Sequence, residues 1–138
     1  TMQYTPAWRA SMKNNAKSKI EAALNIKRDQ YRVNLNVCPA GTHLQGYIEA
    51  AFPDLEKAFG KPIDRPDGYK VSGEWIFEGD GGEVFTLYDW KCTNLYDSDF
   101  ESVESFRANP RPQTFNVGGR TDATVFILWL NKKIKEAA

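Results

Sequence analysis

Tyr69-Lys70-Val71-Ser72-Gly73-Glu74-Trp75-Ile76-Phe77-Glu78, then Gly79-Asp80-Gly81-Gly82, then Glu83-Val84-Phe85-Thr86-Leu87-Tyr88-Asp89-Trp90-Lys91, is the stretch that decides the fold. Both flanks are rich in aromatic and β-branched residues, which suit a pleated, half-buried surface. The glycine-rich tetrapeptide between them supplies the positive φ values that a tight reversal needs. The segment reads as a β-hairpin, and a hairpin forces antiparallel pairing. No β-helix-β repeat appears around it, so the class is α+β: an antiparallel sheet of about four strands with helices packed on it.

Working outward, Tyr31, Val33, Leu35 and Val37 alternate with polar neighbours up to Cys38, which predicts a strand closed by Pro39-Ala40-Gly41. Thr42 can cap a helix carrying Leu44, Tyr47, Ile48 and Ala51, and Pro53 fits a bent continuation whose Leu55 and Phe59 face inward before Gly60. On the other side, residues 92–113 form a polar stretch with Pro110 and Pro112, long enough to be a functional or mobile loop, with a helical turn near Phe100 to Phe106. Thr114 to Val117 reads as a strand, Gly118-Gly119 as a tight reversal, and Thr121 as the cap of a closing helix from Asp122 to Glu136. The expected core is therefore β-α-β-β-β-α. Before it, Trp8, Met12, Ala16, Ile20 and Leu24 at helical spacing predict an N-terminal helix. Two regions result: a basic N-terminal helical extension over 1–30 and a single α+β domain over 31–138.

At 138 residues and 41% hydrophobic, the chain suits one domain with one core. Its 18 basic and 18 acidic residues cancel, but unevenly along the chain. Residues 1–33 carry seven basic side chains against two acidic, residues 64–104 eleven acidic against three basic, and residues 105–138 six basic against two acidic. Opposed patches of this kind favour self-association or intramolecular pairing. Cys38 and Cys92 lack CxxC spacing and a neighbouring histidine, so they read as buried, reduced thiols rather than a zinc site. No apolar run reaches bilayer length, and the chain reads as an intracellular protein that does not enter a membrane.

Leu44-Gln45-Gly46-Tyr47-Ile48, Phe59-Gly60-Lys61-Pro62, Glu74-Trp75, Tyr88-Asp89-Trp90-Lys91 and Asn116-Val117-Gly118-Gly119 resemble the pattern of a family of small proteins encoded by bacteriophages and large DNA viruses, LQGYI…FGxP…W…YxWK…WHIGG. The resemblance runs from about Val33 to Leu130. It implies a viral accessory protein acting in the cytoplasm or nucleus of an infected cell, and it transfers no catalytic residue. Where the family often carries Trp-His before the glycines, this chain has Phe115-Asn116, which removes a histidine-dependent chemistry there.

Two functional readings follow. The first is a non-enzymatic, self-associating module that binds a viral or host macromolecule and needs no cofactor. The closing helix is apolar nearly all round, so it must be covered on several sides, by the sheet and N-terminal helix or by another subunit; a homodimer would use Val125, Phe126 and Trp129. Nucleic acid is one candidate partner, through Arg9, Lys13, Lys17, Lys19, Lys27 and Arg28 beside Tyr4 and Trp8. The second is a metal-dependent nuclease of PD-(D/E)xK type. In it Asp67 and Asp89, on neighbouring strands, would hold Mg²⁺, and Lys91, two residues along the same strand face, would orient water. A Pro-Asp-Gly turn accounts for Asp67 on structural grounds alone, and an ion pair accounts for Asp89 and Lys91. His43, the one histidine, reads as a surface or first-turn residue, and Trp75, Trp90 and Trp129 as core.

Overall fold

The computed structural model describes residues 30–138. The hairpin is present, with strands at Gly73–Gly79 and Val84–Tyr88 pairing in the register Trp75↔Leu87 and Phe77↔Phe85. Its turn closes through Gly82 N–H to Gly79 O, 3.0 Å, with Gly82 at φ 84°, a conformation that costs glycine nothing. Both strands are shorter than their composition suggests. Asp67 organises the residues before the first, and after the second the chain leaves the sheet through Lys91, at φ 57°.

In chain order the elements are β1 (Tyr31–Val33), β2 (His43–Ala50), α1 (Phe52–Phe59), β3 (Ile63–Asp64), β4 and β5 (the hairpin strands), α2 (Val103–Ala108), β6 (Gln113–Gly119) and α3 (Thr124–Ala137). The sheet is antiparallel and has six strands, ordered β1-β4-β5-β6-β2, with the two-residue β3 also pairing with β4. This corrects the expectation of four strands in a β-α-β-β-β-α order. The expected N-terminal helix lies outside the described residues.

The main departure is β2, where a helix was expected. Gly46, Ile48 and Ala50 point to the core while Gln45, Tyr47 and Glu49 point away, a period of two that the apolar spacing of Leu44, Tyr47, Ile48 and Ala51 conceals. Pairing with β6 from His43↔Gly119 to Ala50↔Gln113, broken once by a bulge between Leu44 and Gly46, fixes the strand. Gly46 admits α3 close above it: a Cβ there would lie 2.8 Å from Ile127 Cδ1. The helix begins afresh at Phe52 with Pro53 in its first turn, so no bent continuation exists. β1 is also short. Asn34 turns the chain, its Oδ1 accepting from Asn36 N–H at 3.1 Å, and Cys38 lies exposed in a loop rather than buried.

The stretch over 92–113 is packed rather than free. Ser102 caps α2 through Ser105 N–H at 3.0 Å, Val103 and Phe106 are buried, and Arg107 bonds Ser72 O and Asp64 Oδ1, each at 2.7 Å. Ala123, not Thr121, is the N-cap residue of α3.

All three helices lie on the face formed by Ile48, Trp75, Phe77, Phe85, Leu87, Phe115 and Val117. Phe126 stacks on Phe85 with centroids 4.4 Å apart, Trp129 stacks on Phe59 at 5.9 Å, and Phe52 meets Trp75 at 5.3 Å. Trp75 Nε1 donates to Gly60 O at 2.8 Å, so the glycine that ends α1 also satisfies a buried indole. Among the described residues the opposite face carries no helix.

Candidate functional site

The cluster suggested for metal-assisted cleavage is drawn into holding the fold. Asp89 is fully buried. Its carboxylate accepts the Ser72 amide (3.1 Å), the Gly73 amide (2.8 Å) and the Ser72 hydroxyl (2.8 Å). Burial pushes this carboxyl upward from its ordinary value, and the three donors pull the other way. Asp67 Oδ1 accepts the amides of Tyr69, Lys70 and Val71 at 2.9–3.1 Å; these outweigh a burial cost and hold its carboxyl below the usual range. Lys91 lies beyond the end of β5, so it does not share a strand face with Asp89; its Nζ stands 5.4 Å from the Trp90 ring centroid and 4.9 Å from that of Tyr96. Among the described residues no group of three or more His, Cys, Asp or Glu side chains is placed to hold a metal ion.

The residues suggested for a dimer interface are mostly interior. Phe126 and Trp129 are buried in the chain's own core, and Val125 packs against it half-buried. The all-round apolar helix is covered by the sheet on one side and α1 on another, leaving Leu128 as its exposed large apolar residue. Arg9, Lys13, Lys17, Lys19, Lys27 and Arg28 lie outside the described residues. His43 is exposed at the start of β2, as the sequence suggested. Trp75 and Trp129 are core, whereas Trp90 is 41% exposed.

What the sequence did not single out is a row across the helix-free face. The register Tyr47↔Asn116, Asn116↔Tyr88 and Tyr88↔Glu74 places these four side chains side by side on β2, β6, β5 and β4. At one strand spacing per step they span about 14 Å. Tyr47 is 57% exposed and the other three are half-buried. Among the described residues none of the four side chains makes a hydrogen bond or an ion pair. Burial, then the charge of Asp67, raises the Glu74 carboxyl above its ordinary value. Tyr88 leads on to Trp90 (6.2 Å, edge to face), with Lys70 Nζ 5.6 Å from the indole, and beyond Lys91 the rings of Tyr96, Tyr69 and Phe100 continue at 5.3 and 6.4 Å from Tyr96. Reading 42–51 as a helix hid this row; the alternation Gln45, Tyr47, Glu49 against Gly46, Ile48, Ala50 is the signal that could have exposed it.

A second feature is the edge formed by β2. Eight residues long, it pairs only with β6 among the described residues, and Leu44, 49% exposed, stands on it beside Tyr47. Comparison of the chain with protein-family models and with curated proteins found no match. Among the described residues no helix is long and apolar enough to cross a membrane.

Proposed function

We propose that this chain is a non-enzymatic accessory module of the bacteriophage and large-DNA-virus group it resembles, working inside the infected cell by associating with itself and binding a viral or host macromolecule. The observation that carries the reading is the β2 edge. A strand with one side unpaired presents a row of amides and carbonyls ready for another strand, and proteins that must stay single blunt such edges with lysine, proline or brevity. β2 contains neither lysine nor proline and its only charged residue is Glu49; the bulge at Leu44/Gly46 interrupts just its first turn of the ladder. Two copies related by a twofold axis pair β2 with β2 antiparallel, a self-complementary contact that extends the sheet through both subunits. A twofold axis near the middle of β2 brings the Leu44–Tyr47 segments of the two copies together, antiparallel. The segregation of charge along the sequence supports the same arrangement.

The commitment of Asp67 and Asp89 to backbone amides favours binding over cleavage, and the reading calls for no metal or other cofactor. The basic residues Arg9, Lys13, Lys17, Lys19, Lys27 and Arg28 supply phosphate contacts where the partner is a nucleic acid. Sedimentation velocity on the full chain at micromolar concentrations tests the reading, with Leu44→Lys as the edge-blocking variant: a dimer that the lysine dissociates is expected.

A further inference from the structure

We propose that the helix-free face, from Tyr47 across Asn116 and Tyr88 to Trp90 and on to Tyr96, binds the bases of single-stranded nucleic acid. The inference rests on the chain being a binding module, but not on its self-association.

Three observations carry it. Polar groups without partners among the described residues lie side by side in one register row, and the Asn116 amide offers both a donor and an acceptor, as the edge of an unpaired base requires. Next to that row the rings of Tyr88 and Trp90, then Tyr96, Tyr69 and Phe100, form a succession at the surface; Trp90, Tyr69 and Phe100 are each 41–50% exposed. Exposed rings stack on unpaired bases whatever their sequence, whereas a duplex keeps its base faces to itself. Cations are interleaved with the rings: Lys70 and Lys91 hold their ammonium groups 5.4–5.6 Å from the Trp90 centroid, where a phosphate following a stacked base would pass.

Lys91 is kept there by a left-handed backbone, φ 57°, closed by its N–H to Lys70 O at 2.7 Å. A non-glycine residue is rarely left in that conformation, and strain of this sort gathers at binding sites. Asp97 and Asp99 adjoin Tyr96 and Phe100, so the phosphate path runs by the two lysines and not past the far rings.

Fluorescence polarisation of the full chain tests the proposal with short labelled oligothymidylate and oligouridylate, a duplex of the same length, and the free mononucleotide. The oligomers are expected to bind in preference to the duplex and mononucleotide. Trp90→Ala and Tyr88→Ala, checked for folding by circular dichroism, each weaken binding roughly 5- to 150-fold. Tyr88→Phe keeps the ring and most of the affinity. Between roughly 50 and 200 mM salt, replacing both Lys70 and Lys91 by alanine flattens the logarithmic salt slope by about 1.4, at 0.7 per lost phosphate contact on a single strand. Trp90→Ala, which lies beyond β5 and away from the β2 edge, leaves sedimentation unchanged while it weakens oligomer binding, so loss of base binding and loss of self-association are separable. Equal affinity for duplex, ring variants that bind as tightly as the parent, a preference for the free mononucleotide, or no binding by the parent overturns the proposal.

Discussion

Asp89 and Ser72, seventeen residues apart, are joined by three hydrogen bonds: the Ser72 amide reaches both carboxylate oxygens at 3.1 Å and the Ser72 hydroxyl reaches Oδ2 at 2.8 Å. With the Gly73 amide added, one buried side chain satisfies the backbone where β4 begins. Asp89→Ala therefore orphans several buried donors at once. Urea denaturation is expected to show a loss of about 3–5 kcal/mol.

Glu74 sits in the helix-free row, half-buried and without a hydrogen-bond partner among the described residues, its carboxyl raised first by burial and then by Asp67. The folded chain holds this proton more tightly than the unfolded chain, whose glutamate titrates near its ordinary 4.5. The contribution to stability is therefore complete below that value and lost as pH rises through the folded one. Glu74→Gln removes the dependence. The stability of the parent minus that of the variant is expected to fall with rising pH across this window, as measured by urea midpoints in a pH series.

Gly119 faces the core opposite Phe85, and a Cβ there would stand 2.6 Å from Phe85 Cδ1, in a place where the ring is held by its stack on Phe126. Gly119→Ala is expected to cost about 1–3 kcal/mol by overpacking, seen as a lower midpoint in thermal or urea unfolding.

Phe126 and Trp129 belong to the core of one chain. Phe126→Ala and Trp129→Ala should each lower stability by about 3–5 kcal/mol. Their sedimentation, under conditions where they remain folded, should match that of the parent. A variant that stays equally stable but loses self-association would return these residues to an interface.

The hairpin was legible because Trp75, Phe77, Phe85 and Leu87 alternate with other residues around a glycine-rich turn, a purely local signal. The closing helix was legible for the same reason; its apolar surround suggested cover by the sheet and N-terminal helix or by a partner subunit, and among the described residues the sheet and α1 cover most of it. β2 was not legible. Leu44, Tyr47, Ile48 and Ala51 satisfy helical spacing, and only pairing with β6, more than sixty residues away, decides for a strand. The hydrogen bonds of Asp67 and Asp89 were out of reach too. A carboxylate that caps backbone amides has the same spacing in the sequence as one that could bind a metal, and geometry alone separates them.

Sedimentation velocity on the full chain beside Leu44→Lys, across micromolar concentrations, is the direct test of β2 pairing. With β2 paired, the parent sediments as a dimer and the variant as a monomer that still unfolds cooperatively in urea, because Leu44 is a surface residue. A parent that sediments as a monomer throughout, or a dimer indifferent to the lysine, would contradict that pairing.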